Sequence, residues 1–324
     1  MIYHVVSDRA VKGARVYAQS SYAECEFFIA DVLTLPWSLF KVLVSEKKKT
    51  VVFHEQYSLA SLLISYVLTK IFRRKHNLIY DMHDIASLEP YPKMRTKILI
   101  SFYKALEYTS LRILKIPVIT VSKHLSSHIS KEYKVLAPVV YSVPPSVLAC
   151  ETSRDKRFQD MRRVLYFGLI EPTRLDVSLL EKIVNKGFKV DLYGIFSSNS
   201  DASYKEAINS LVSKSGGDFR GRYSPSDLSF IKNYAGVLML YDTSSENVKG
   251  CLPNKLFQSM VMGVPCVVSS GMVEARNLFQ KYNAVVTDVE SLSESSRIDW
   301  VGVNKEIICL REESRLNFKK TAQI

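Results

Sequence analysis

The chain has 324 residues, 47% apolar and 23% charged, with 44 Lys and Arg against 32 Asp and Glu for a net charge of +12. That apolar content excludes disorder, because enough surface can be buried to offset chain entropy, and the lack of any repeat excludes collagen-like and low-complexity classes. The length predicts two domains of about 150 residues, each closing its own core.

In chain order, the first segment, Met1-Ile-Tyr-His-Val-Val-Ser-Asp8, lacks the basic and long apolar regions of a signal peptide. Short apolar runs at 2–6, 27–30, 50–53, 78–80, 118–121 and about 139–143 read as strands. Helical patterns at 14–22, 37–46, 59–74, 93–114 and 123–131 lie between them. Apolar strands separated by helices indicate βαβ units around a parallel sheet buried on both faces. The most apolar stretch, 59–72, is interrupted by Lys70 and falls short of the ~20 residues that cross a bilayer. From Pro144-Pro145 to Asp160 the rhythm breaks into a polar stretch, read as a linker over 150–161. It restarts with strands at 163–167, 190–193, 236–240, 266–268 and 284–286. Helices are expected at 177–186, 203–214, 225–234, 254–262 and 274–281. The Ser224-Pro225 pair suits a helix start. The expected organisation is a doubly wound domain over 1–149, the linker, a second over 162–303, and a helix over 304–324 packing back toward the first. In such folds ligands sit beyond the carboxyl ends of the strands, here in a cleft between the domains.

Charge is uneven: residues 1–150 hold +9 and residues 151–324 only +3. The excess gathers at Lys47-Lys48-Lys49, at Arg73-Arg74-Lys75 and at Lys93, Arg95, Lys97 and Lys104. The last group is interleaved with Ile98, Leu99, Ile100, Phe102 and Tyr103. Cations at helix C-termini account for Arg73 to Lys75. The third group suits either that reading or an anionic membrane surface. No RNP, KH, zinc-finger or helix-turn-helix pattern supports nucleic acid. Cys25, Cys150, Cys251, Cys266 and Cys309 are scattered without a C-x-x-C pair, which fits a reducing compartment.

The most informative stretch runs from Leu252 to Val268. Pro253 presets the first helical turn, and Asn254, Lys255 and Leu256 present free N–H groups with an ammonium beside them. That is a ready phosphate site; the same residues also suit an ordinary capped helix. Pro253-Asn-Lys-Leu-Phe-Gln258 with Gly263-Val-Pro265 resembles the P-N-K-L-F-E-x4-G-x-P signature of family 4-type, GT-B-fold glycosyltransferases. Leu165-Tyr-Phe-Gly168 resembles the first strand and glycine loop of their nucleotide domain, and Phe219-Arg-Gly-Arg222 onward to Leu228 their F-x-G segment. Tyr80-Asp-Met-His-Asp84, Glu107 and Val118-Ile-Thr-Val-Ser122 resemble their acceptor domain.

The resemblance implies two Rossmann-like domains facing a cleft and a metal-independent, retaining transfer of a sugar from a nucleotide-sugar donor. The implied acceptor is a saccharide, lipid-linked on the reading of the basic helix, in cell-surface polysaccharide assembly. The protein is then cytoplasmic and peripheral on the inner membrane face. No metal or other cofactor is expected. Lys255, the N–H groups at Asn254 and Arg174 are the expected diphosphate contacts, although Arg174 also reads as a solvated helix-start residue. Gly168 lets the backbone approach the donor. Gly194 and Arg222 lie where the base is held, and Pro253, Leu256 and Gln258 complete the donor segment. His83, with Asp84, is the expected sugar contact, against the commoner structural role of a lone histidine. Gly13, in the loop after the first strand, reads either as an access glycine or an ordinary turn.

Two departures from the pattern stand out. The E-x7-E positions hold Gly250 and Gln258, and Leu179 replaces a usual lysine. Gln258 keeps hydrogen bonding without a carboxylate's charge. These changes motivate a second reading, a non-catalytic GT-B partner subunit or chaperone with weakened donor binding. Epimerase chemistry requires a second acid near Asp84 or Glu89, and none is evident. His124 and His128 lie one turn apart without a third ligand and read as a solvated face.

Overall fold

The computed structural model describes residues 1–6, 14–29, 37–85, 94–144, 162–198, 200–224, 227–242 and 246–323. The chain forms two units, one of Met1–Pro145 with Leu310–Ile324 and one of Ser146–Cys309. Gly13 and the linker over 150–161 lie outside the described residues.

In the first unit, β1 (Ile2–Val6), β2 (Cys25–Ile29), β3 (Thr50–His54), β4 (Asn77–Met82) and β5 (Val118–Thr120) form a parallel sheet in the order β2-β1-β3-β4-β5. Alternation divides its side chains. Val5, Val51, Phe53, Tyr80 and Met82 pack with Leu39, Leu62, Ile100, Leu111 and Leu125 from the helices. Ile2, Val52 and Ile79 face the other way, onto Tyr22 and Phe318. His4, His54 and Asp81 share this second face by period, since His54 pairs with Asp81 and His4 with Val52. Residues 139–143 are not a strand; Val139 makes a single bridge to Thr120. The helix expected over 93–114 is Met94–Tyr108, followed by a wider turn, Thr109–Ile113, in which Leu114 N–H donates to Thr109 O.

The second unit holds β6 (Arg163–Ile170), β7 (Lys189–Phe196), β8 (Phe219–Gly221), β9 (Gly236–Met239), β10 (Cys266–Val268) and β11 (Val285–Val286). Its parallel order is β11-β10-β9-β6-β7-β8, so the sheet reverses direction of growth between β6 and β9. Ligands in doubly wound sheets bind beyond the strand ends at such a point. The edge strand β8 has no predicted counterpart, because Phe219 and Arg220 are exposed and offer no apolar run. Of the helix expected over 225–234, residues 225–226, with the Pro225 start, lie outside the described residues, and the described remainder holds only a 3-10 turn, Ser229–Asn233. There Asp227 accepts from Ser229 N–H and hydroxyl, a local bond that competes with helix.

The helix Trp300–Ala322 begins in the second unit and ends in the first. Phe318 stacks on His4, Ala322 O accepts from Thr50 Oγ1 at 3.0 Å, and Thr321 O accepts from Asn77 Nδ2 at 2.9 Å. Among the described residues no helix is long and apolar enough to cross a membrane.

Candidate functional site

In the second unit the site is built where β6 and β7 end. Gly168 has φ +122° and Gly194 φ +149°, and a Cβ on Gly194 would stand 1.8 Å from Gly168 O. Only glycine lets the two backbones approach this closely. The helix Asn254–Val261 starts after Pro253 without a side-chain cap, but Leu256 N–H, expected to be free, donates to Pro253 O at 2.8 Å because the first turn closes locally. Pro253 and Leu256 are buried, and so is Gln258. Lys255 is 8% exposed, and its Nζ lies 3.7 Å from where a Gly168 Cβ would be.

That ammonium sits among aromatic rings, 3.8 Å from the centroid of Tyr166, 5.8 Å from Tyr241 and 5.9 Å from Phe167. It has no hydrogen-bond partner among the described residues. Burial and, second, the charge of Arg174 push its pKa down to about 7. Ring faces contribute about 2 kcal/mol to a desolvated cation, well below the cost of burying it. Such a group gains most from an incoming anion. Arg174 is half-exposed and pairs with Glu171 at 2.6 Å, and still acts electrostatically on Lys255. Arg222 is exposed beside Tyr223, whose ring meets Phe167 at 5.5 Å.

Sequence reading missed the aromatic lining of this region. Tyr193 stacks on Phe230 at 4.5 Å, and Phe167 meets Phe230 at 6.0 Å. The signal was present as aromatics in and after successive strands, but any of them reads equally well as core.

In the first unit, the buried carboxylate of Asp81 is a hub. Arg15 Nε approaches its two oxygens at 2.9 and 3.1 Å, and a second guanidinium nitrogen also bonds Oδ1. Gln19 Nε2 donates at 2.8 Å, His54 Nδ1 lies at 2.8 Å and His83 Nε2 at 3.0 Å. His4 Nδ1 meets His54 Nε2 at 2.8 Å. Burial alone would raise the Asp81 pKa; Arg15, His83 and the bond from His54 reverse this and hold it well below the usual carboxylate range. Burial, then His54, lowers the His4 pKa to about 3, and burial lowers that of His54 despite Asp81.

Of the residues expected here, His83 joins the hub, whereas Asp84 is exposed and outside this network. Arg15, Gln19, His4 and His54 were not anticipated. The donor atoms of His54, Asp81 and His83 lie within 4.8 Å of one another, a spacing a metal ion would also accept. The Arg15 guanidinium on both carboxylate oxygens opposes a second cation there. Glu107 is buried and accepts from Tyr133 Oη at 3.0 Å, a core bond. His128 pairs with Glu132 at 2.8 Å on a solvated helix face.

No family model and no curated protein sequence matches the chain. Solved structures do. The apo lipopolysaccharide outer core galactosyltransferase WaaB is 14% identical with a TM-score of 0.60, over 100% of this chain and 99% of that one. AviGT4, a glycosyltransferase of avilamycin A biosynthesis, is 11% identical with a TM-score of 0.59, over 100% and 98%. HepE of Anabaena, bound to UDP and glucose, is 14% identical with a TM-score of 0.55, over 95% and 98%. The two parallel-sheet α/β units of this chain therefore have the fold of GT-B glycosyltransferases.

Proposed function

We propose that this chain is a glycosyltransferase that moves a sugar from a nucleotide-sugar donor to a saccharide acceptor. The observation that carries the reading is Lys255: a buried ammonium without an acceptor, packed beside Gly168 at φ +122° and at a helix N-terminus without a side-chain cap. Those groups match a leaving diphosphate, which needs charge and N–H donors fixed before the bond breaks. Lys255 and Arg174 serve the role a divalent cation would otherwise fill, so the transfer is metal-independent. In keeping with the resemblance to family 4, it retains the anomeric configuration.

The acceptor is lipid-linked and met at an anionic membrane surface. Supporting this, Ile98 is 67% exposed on Met94–Tyr108, with Leu99, Phe102 and Tyr108 also exposed. Ile64, Val67 and Ile71 form an exposed stripe on Leu59–Ile71, flanked by Lys70 and Arg73. An apolar outward face rimmed by cations is the arrangement a headgroup layer takes up. Flotation with anionic vesicles is expected to retain the chain, and Ile98→Glu with Val67→Glu to release it.

Calorimetric titration with UDP- and GDP-sugars tests the donor reading, with UDP-glucose first because HepE was solved with it. Binding that disappears in Lys255→Ala supports it. A silent panel favours the second reading, a non-catalytic partner subunit, which Gly250, Gln258 and Leu179 motivate.

A further inference from the structure

Three successive helix-to-strand turns of the first unit end in the same way. The helix Leu59–Ile71 turns into β4, the wide turn Thr109–Ile113 into β5, and the helix Lys123–Tyr133 into the segment that bridges β5 at Val139. All three turns therefore lie at the amino edge of the sheet. Each presents an aliphatic side chain to solvent: Ile71 is 65% exposed, Ile113 60% and Leu136 81%. Each also holds an exposed basic residue in the left-handed region, Arg73 at φ 51°, Lys115 at φ 53° and Lys134 at φ 58°. Glycine is the ordinary occupant of that position after a helix, and Gly187, Gly216 and Gly263 hold it in the second unit. The dipole of a helix C-terminus favours cations, but any residue of the last turn satisfies it without the steric cost of a left-handed side chain. Nor does the dipole account for three exposed aliphatics. No acidic residue occurs within 71–76, 113–117 or 134–138.

We propose that this amino edge is the first unit's deepest contact with an anionic bilayer, so that the flank carrying Ile98 leans up and away toward the carboxyl edge. The partner is the bilayer of the proposed function, on which this inference rests; the anchoring edge and the tilt go beyond it. Cations with aliphatic tips between them match charged headgroups over acyl chains, whereas nucleic acid would use the charge and leave the aliphatics wet. Ligands of doubly wound sheets bind at the carboxyl edge. The acceptor sugar that reaches it therefore projects from the headgroup layer on further sugars, and the transfer elongates a lipid-linked saccharide rather than starting one.

The test uses the full-length chain with vesicles of phosphatidylcholine, with and without phosphatidylglycerol. Replacing Arg73, Lys115 and Lys134 together by glycine is expected to lower affinity for the anionic vesicles about 100-fold. The urea midpoint should hold or rise, because glycine relaxes the backbone at those positions. Unchanged vesicle affinity overturns the inference. Leu136→Gln is expected to weaken vesicle binding and leave retention on an RNA oligonucleotide unchanged; no effect on vesicles assigns the edge to a soluble polyanion and overturns it too. Tilt is read by tryptophan quenching with lipids brominated along the acyl chain, measured above the quenching of the wild-type tryptophans. Ile98 and Ile113 stand about 20 Å apart along one helical run. Ile113→Trp is expected to be quenched strongly and Ile98→Trp weakly. Equal or reversed quenching means that the flank lies flat, which overturns the inference and leaves the membrane reading intact. A wild type that ignores anionic vesicles removes both, whereas a wild type that binds them but transfers no sugar removes the elongation step and leaves the anchoring edge.

Discussion

Asp81 and Lys255 are both buried ions in parallel-sheet units, and they are treated in opposite ways. Asp81 is met by a guanidinium, an amide and two imidazoles, and its pKa is held well below the usual range. Lys255 is met by ring faces and no acceptor, and its pKa is pushed down to about 7. In the first case the fold stabilises the charge; in the second the charge is set at a cost to the fold. On the proposed function, the contrast separates groups that shape a site from groups that await a ligand.

The contrast is broken most sharply at the hub. Asp81→Ala leaves Arg15 as an uncompensated buried charge and is expected to cost about 3–5 kcal/mol, read as a lower urea midpoint. Lys255→Met is expected to do the reverse, raising stability by about 1–2 kcal/mol while nucleotide-sugar affinity falls about 30-fold. Loss of stability in Lys255→Met contradicts the idea that this cation is there for a ligand.

Proton linkage sharpens the same comparison. A bound diphosphate favours the charged lysine, so donor affinity is expected to weaken as pH rises above about 7. The limit is about tenfold per unit, and titrations in buffers of different ionisation heat should show proton uptake. In the first unit the sign concerns folding. The unfolded chain protonates His4 near 6.5, but the fold resists until about 3, so stability is full above 6.5 and declines as pH falls through that window. Asp81 adds to the decline below the ordinary carboxylate pKa, since its folded value is lower still. A flat urea midpoint between pH 6.5 and 4 contradicts this account.

Much of the frame was legible because it is local. Ile2–Val6 and Cys266–Val268 are apolar runs between breakers, and both appear at the predicted bounds. Lys255 was legible for the same reason: proline, asparagine and lysine stand together at one helix start. The hub was not, since Arg15, His54 and Asp81 are brought together by strand register and a helix laid across it. A hint existed in His4, His54 and Asp81, polar residues within otherwise apolar strands. The expected strand at 139–143 stops after one bridge to β5, in which Thr120 N–H donates to Pro138 O and Val140 N–H to Thr120 O, and Asn317 Nδ2 donates to Val139 O.

That last bond belongs to a larger arrangement. Leu310–Ile324 completes the unit that begins at Met1, while Ser146–Cys309 forms the other unit entirely. During synthesis the N-terminal unit leaves the ribosome without Phe318, with the face of β1 that it covers still wet. The unit translated first is thus the last one finished, and a nascent chain must shield that face through the whole of its neighbour's translation.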